Sequence, residues 1–157
     1  MSETAVPVKG RMHRFTTTSG LDTIEVGRKL VELLQPPHLL ILTGDLGAGK
    51  TTLVKGIAEA LDAAEAEEVT SPTFTLLHEY DGTRQGSPVK LFHLDVYRLE
   101  GERQLETLGI DDLCTDDAIV LIEWGEKFKS LRKRSTGEIA VKSDGGDKRR
   151  ITVTFKE

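Results

Sequence analysis

Disulfide chemistry is excluded first: Cys114 is the only cysteine, so no intramolecular bridge can form and no CxxC metal or redox pair is possible. Its expected role is that of a small, partly buried side chain. Long apolar runs are missing too. No stretch approaches the roughly 18 apolar residues of a membrane span, and Met1 to Arg14 holds no apolar core of signal-peptide type, so the chain is expected to stay in the cytoplasm and off membranes. Aromatics are scarce, with five Phe, two Tyr and one Trp, and they do not interleave with basic residues as a base-stacking surface requires. Positive charge is not in excess either. The 21 Lys and Arg against 26 Asp and Glu leave a net charge of −5, which argues against binding naked DNA and makes any contact with RNA indirect.

What the chain does contain is a complete G-x-x-x-x-G-K-[ST] string: Gly44, Asp45, Leu46, Gly47, Ala48, Gly49, Lys50 and Thr51, followed by Thr52. The glycines let the backbone curl so that successive N–H groups face one concavity, and a helix starting near Gly49 adds its positive end to the same point. A nucleotide triphosphate is expected there. Lys50 would reach the β- and γ-phosphates, and the Thr51 hydroxyl is placed to ligate Mg²⁺. The flanks agree, since His38 to Thr43 read as a strand buried on both faces and Leu53, Ile57 and Leu61 recur at helical spacing. No [NT]-K-x-D guanine motif occurs, so ATP is favoured over GTP.

The rest of the 157 residues reads as one α/β domain without internal repeats, the first ten residues being flexible. Residues 11 to 18 are expected as an edge strand. Ser19 then caps a helix carrying Leu21, Ile24, Leu30, Val31 and Leu34, which Pro36-Pro37 stops. Phe74 to Tyr80 and Val89 to Tyr97 read as an antiparallel hairpin joined by residues 81 to 88. A short helix from Glu102 to Leu108 ends at Gly109, a buried strand spans Ala118 to Glu123, and strands at Glu138 to Val141 and Ile151 to Phe155 flank a turn at 144 to 147. The expected architecture is a P-loop NTPase-like three-layer fold, a mixed, mostly parallel sheet flanked by helices and carrying that antiparallel hairpin.

A P-loop needs an acidic partner at another strand's end, and two compete. Ala118 to Ile122 form an unbroken apolar run ending in Glu123, the pattern of a Walker B strand with Glu for Asp. In Leu91 to Tyr97, alternation places His93, Asp95 and Tyr97 on one face. Glu123 is the first choice for the metal, with a strand-end surface carboxylate as the alternative; Asp95 is the second, with a turn carboxylate as its alternative. His93 and His78 lack metal-ligand spacing and read as hydrogen-bonded structural histidines. Thr70-Ser71-Pro72-Thr73-Phe74 lies where a switch loop would, with Thr73 able to sense the γ-phosphate, although a plain polar turn explains the same residues. The basic runs Lys127 to Arg134 and Lys148 to Arg150 are either solvated faces or contacts to phosphates or an acidic partner.

The strings GDLGAGKTT (44–52), TSPTFTLLHEY (70–80), FHLDVYRLE (92–100), LGIDDL (108–113) and LIEW (121–124), in this order, resemble the bacterial TsaE (YjeE) family of P-loop ATPases. The match covers about residues 15 to 125. It implies an ATPase that works with TsaB and TsaD in making threonylcarbamoyladenosine at position 37 of tRNAs reading ANN codons, the transfer itself belonging to TsaD. Carried over, Gly44 to Thr52 hold the phosphates of ATP, Thr51 and Glu123 ligate Mg²⁺, Asp95 belongs to the hydrolytic site or its switch, and Thr73 to the switch-like segment. Thr17 or Thr18 and Arg149 are the nearest matches to further nucleotide contacts, and Trp124 is expected near the nucleotide or, alternatively, in the core. Two other classes stay open: a small-molecule kinase using Arg132 to Arg134 as a lid, and a nucleotide-dependent regulatory switch.

Overall fold

A computed structural model describes residues 11–45, 49–72 and 75–156. The central strand, β2 (His38–Thr43), alternates its buried side chains between two cores, Leu40 and Leu42 to one and Leu39 and Ile41 to the other. Both faces are covered, which is why its sequence reads as an apolar run and not as an alternation. On the first face lie α1 (Gly20–Leu30) and α2 (Lys50–Ala60), whose Leu30, Leu53 and Ile57 pack with Leu121. The second face is covered by α3 (Glu102–Leu108), α4 (Ile110–Leu113) and α5 (Lys129–Arg134) through Leu105, Ile110 and Leu131. This makes three layers.

The seven-stranded sheet adds β1 (Arg11–Thr17), β3 (Leu77–Arg84), β4 (Ser87–Asp95), β5 (Ala118–Glu123), β6 (Gly137–Ser143) and β7 (Arg149–Phe155), in the order β1-β7-β6-β2-β5-β4-β3. Strands β6, β2, β5 and β4 are parallel neighbours, whereas β3 returns antiparallel on β4 and β7 antiparallel on β6 and β1. The expected mixed sheet, flanking helices and hairpin are therefore present. The parallel block brings the C-terminal ends of β2, β5 and β4 to one edge, with Leu42 opposite Glu123 and Glu123 opposite Asp95.

Helices α1 and α2 touch backbone to backbone. A Cβ built on Gly56 would run into the Ile24 carbonyl oxygen, and one on Gly27 into that of Leu53. Only glycine permits such an approach, and it fixes α2, the helix that starts at the nucleotide loop, against the first layer. Ser19 caps α1 as expected, its Oγ accepting from the Asp22 N–H at 3.1 Å. Leu21 departs from expectation. It is 80% exposed on the first turn, and the inward face is carried by Thr23, Val26, Gly27 and Leu30.

The hairpin is also shifted from its expected bounds. Residues 81 to 84 belong to β3, and the turn is the two-residue Gln85-Gly86, with φ of 52° and 82°. A type I′ turn holds both central residues in the left-handed region, which Gly86 adopts freely and Gln85 against its Cβ. The polar residues of 81 to 84 mislead because β3 is an edge strand, where alternate side chains face water at no cost. The Asp144 to Lys148 turn stands, closed by Asp144 N–H to Lys148 O at 2.9 Å, with β6 and β7 each extending about two residues beyond the expected bounds at that end.

Candidate functional site

The loop after β2 turns at Gly44, whose φ of 149° and proximity to the Val141 carbonyl leave no room for a Cβ. Gly49 closes it at φ 104° and opens α2 without any side-chain cap. The first amides of that helix are thus left for an anion. Leu46, Gly47 and Ala48 lie outside the described residues, as does Thr73. Asp45 is exposed, and Thr51 and Thr52 are half-buried at the start of α2.

Lys50 does not face open solvent. It is 8% exposed, its Nζ lies 3.4 Å from Glu123 Oε1, and it sits 5.1 Å from the centre of the Trp124 ring. Glu123 closes β5 and is itself 4% exposed; its other oxygen, Oε2, accepts from His93 Nε2 at 2.6 Å. Burial works to raise the Glu123 carboxyl, but the hydrogen bond and charge of His93, joined by Lys50, outweigh it and hold the group below its ordinary range. Asp95, in register with Glu123 on the neighbouring strand, is also buried and accepts the Tyr97 N–H at 2.9 Å. The expected polar face therefore exists for His93 and Asp95. Tyr97 is beyond the end of β4 and 56% exposed, its ring 4.8 Å from that of Trp124.

Trp124 follows Glu123 in the left-handed region at φ 67°, which turns the chain sharply at the strand tip and sets the indole over Lys50. Lys127 anchors the other side, donating to the carbonyls of Tyr97 at 2.6 Å and Leu99 at 2.9 Å. Lys55, one turn after Thr51, donates to the carbonyls of Ala66 and Val69 at 2.7 Å each and so ties α2 to the segment entering Thr70.

Beside Gly49 lies a cleft of about 130 Å³ lined by Ser19, Gly20, Thr23, Gly49, Thr52, Asp147 and Arg149. Arg149, at the start of β7, approaches Gly49 and is steadied by the Gly146 carbonyl at 2.7 Å. Of the two threonines offered by sequence, Thr17 is buried and shares a 2.9 Å hydrogen bond with Thr23, and Thr18 spends its N–H and hydroxyl on Asp22. The residues that line the cleft from this side are Ser19, Gly20 and Thr23. The helix-capping role assigned to Ser19 concealed that position.

The basic run in α5 is elsewhere. Arg134 pairs with Asp111, and α5 leads into Gly137, which pairs with Leu40 near the start of β2, so the end of this run lies toward the sheet edge opposite the loop. This arrangement gives no support to a lid of Arg132 to Arg134 over the phosphates, since Arg132 is held by the Glu126 carbonyl and Arg134 by Asp111. Cys114 belongs to that distant edge; it is exposed as a residue, and partial burial of the sulfur pushes its thiol up, away from reactivity.

Among the described residues no three His, Cys, Asp or Glu side chains form a metal cluster. A magnesium site on a phosphate loop does not need one, because a hydroxyl, one or two carboxylates, water and the phosphates complete the shell. The glycine cradle, the uncapped helix start, the buried ammonium and the ionised strand-tip carboxylate fit a phosphate and its cation. No helix among the described residues is long and apolar enough to cross a membrane.

Comparison with known proteins identifies the family and the fold. The family model described as threonylcarbamoyl adenosine biosynthesis protein TsaE matches residues 17–151. The tRNA threonylcarbamoyladenosine biosynthesis protein TsaE of Bacillus subtilis is 37% identical over 142 residues, covering 90% of this chain and 84% of that protein. Its counterpart in Streptomyces coelicolor is 40% identical over 135 residues, covering 83% and 88%. Among solved structures, YdiB of Bacillus subtilis superposes with a TM-score of 0.67 at 28% identity, covering 99% of this chain and 90% of that one.

Proposed function

The chain belongs to the TsaE family of tRNA threonylcarbamoyladenosine biosynthesis and has that family's P-loop, nucleotide-binding fold; from this premise we propose that it is the ATP-binding and ATP-hydrolysing subunit acting with TsaB and TsaD. The modification is then made at position 37 of ANN-decoding tRNAs, with tRNA meeting this chain only through the complex. One observation carries the reading: a buried Lys50–Glu123 ion pair beside a glycine loop and an uncapped helix start, at the shared edge of three parallel strands.

In this reading the loop from Gly44 to Thr52 cradles the phosphates with its backbone N–H groups, and Lys50 leaves Glu123 to meet the β- and γ-phosphates. Thr51 and Glu123 would hold Mg²⁺, which would supply neutralisation of the charge developing on the transferred phosphoryl group. Asp95, in register with Glu123, serves the hydrolytic step, and Thr73 reports the γ-phosphate. Ser19, Gly20, Thr23 and Arg149 border the cleft suited to the nucleoside, with Trp124 closing the opposite side over Lys50. Residues 1–157 act as one domain in the cytoplasm.

The test is ATP turnover by the pure chain with and without TsaB–TsaD from the same organism, together with partner affinity across the empty, ADP and non-hydrolysable ATP forms. Turnover should rise with the partners, and they should bind most tightly to the ATP form. Equal turnover and equal affinity throughout, or tight tRNA binding by the chain alone, would reject the proposal.

A further inference from the structure

His93 is wholly buried on β4, opposite Leu121 of β5 and two residues after Leu91, on the face that packs under α1 and α2. Its Nδ1 is buried without a hydrogen-bond partner among the described residues, so the ring carries an unsatisfied polar atom into an apolar layer. A leucine there would match its neighbours and avoid that cost. The ring's polar contact is the 2.6 Å hydrogen bond from Nε2 to Glu123 Oε2. Since the carboxyl is ionised and can only accept, Nε2 must carry the proton.

We propose that His93 is a positioning residue: it pins Oε2 of Glu123 so that Oε1 alone is exchanged, from Lys50 to the divalent cation that comes with the nucleotide. The inference rests on the Mg·ATP reading above. Both oxygens of Glu123 are engaged in the structure, Oε1 by Lys50 at 3.4 Å and Oε2 by His93. The lysine is the partner that phosphates would draw away, because its Nζ sits on a flexible stem at the first residue of α2. The histidine is fixed in a strand. When Lys50 departs, a carboxylate without His93 would be free to rotate and would hold the cation poorly; with His93 it presents one oxygen in one place. Outer partners of this kind orient the ligand and raise its affinity for the metal.

The experiment titrates nucleotide through the fluorescence of Trp124, the only tryptophan, whose ring lies over Lys50. Wild type, His93→Leu and His93→Gln are compared with ATP in Mg²⁺ and with ATP in EDTA. Wild type should bind more tightly in Mg²⁺; if it shows no such gain, the reading of the site as a magnesium site falls, whatever His93 does. Given that gain, His93→Leu should lose roughly ten- to a hundredfold of it while its affinity in EDTA stays unchanged. His93→Gln, whose amide can still donate to Oε2, should recover most of the loss. An undiminished Mg²⁺ gain in His93→Leu, an equal loss with and without Mg²⁺, or a Gln variant no better than Leu would overturn the proposal. Thermal melts in EDTA check folding, and should His93→Leu not fold, His93→Asn, with a side chain too short to reach Oε2, takes its place.

Discussion

Replacing Lys50 by alanine removes the counter-ion of a carboxylate that is 4% exposed. At the 3.4 Å separation of Nζ and Oε1, the Coulomb attraction is about 5 kcal/mol at an effective dielectric of about 20. That is an upper bound, because the deletion also relieves the lysine's own desolvation. Stranding a buried charge with no partner costs about 3–5 kcal/mol, but Glu123 keeps its 2.6 Å bond to His93, which brings the expected loss to about 2 kcal/mol. In a domain of this size that is a fall in Tm of about 4–8 °C. A lysine placed to reach phosphates is expected to matter for binding alone; at 8% exposure Lys50 matters for the fold as well.

The pH dependence supplies a second constraint. A carboxyl whose folded pKa is depressed contributes stability that is present above its unfolded pKa and lost as pH falls through the folded one. Glu123 is such a group, and Lys50 supplies part of the depression. The deficit of Lys50→Ala should therefore be full at neutral pH and narrow as pH falls below about 4.3. Urea unfolding of Lys50→Ala, Glu123→Gln and the double variant at pH 7 and pH 4 measures both effects. The double variant should be less damaged than the sum of the singles by at least about 1 kcal/mol. Additivity within about 0.5 kcal/mol, or a deficit that ignores pH, would refute the ion pair as a stabilising contact.

Two further outcomes follow from features outside the phosphate loop. Gly56→Ala drives a methyl group into the Ile24 carbonyl of α1 and should cost about 1–3 kcal/mol; an unchanged melting curve by far-UV circular dichroism would reject the backbone contact between α1 and α2. His38 is held below its ordinary pKa by burial and by the Arg84 charge, with Nδ1 sharing a 2.7 Å hydrogen bond with Thr136. The stability it confers is present above about pH 6.5 and lost as pH falls through the lower folded value, so His38→Gln should flatten the stability profile in that acidic window, and an unaltered profile would exclude His38 as its source.

The parts legible from sequence were those whose chemistry is local. A glycine loop between an apolar strand and an apolar-spaced helix announces itself within about twenty residues of chain, and the Ala118 to Ile122 run marks a strand covered on both sides wherever it lies in the sheet. The His93–Glu123 contact was hidden because it depends on β4 being the parallel neighbour of β5, a pairing across thirty residues that no periodicity encodes. His93 therefore read as a structural histidine with no partner in view. Ser19 was read correctly as a cap, yet its place in the cleft required knowing that β1 lies two strands from β6 and that Arg149 is carried up to Gly49. The shifted hairpin came from taking polarity for a loop, when an edge strand tolerates polar residues on its open side.

The pairing of β1 with β7 joins the two ends of the described chain, Arg11 opposite Phe155 and Thr17 opposite Arg149. Synthesis proceeds from one end to the other, so β1 emerges early and has no place in the sheet until β7, its only neighbour among the described residues, has followed. Contacts of such sequence separation are slow to form, because the entropy of closing so long a loop must be met before they are rewarded. The phosphate loop and its helix are thus on hand while the wall of the cleft is still missing, because Ser19 is carried by the segment after β1 and Arg149 opens β7. A chain broken off before residue 149 loses two strands from the sheet, one by deletion and one by abandonment. Completeness of the polypeptide is in this way built into the cleft beside Gly49: an unfinished copy keeps the glycine motif and lacks one wall of that cleft.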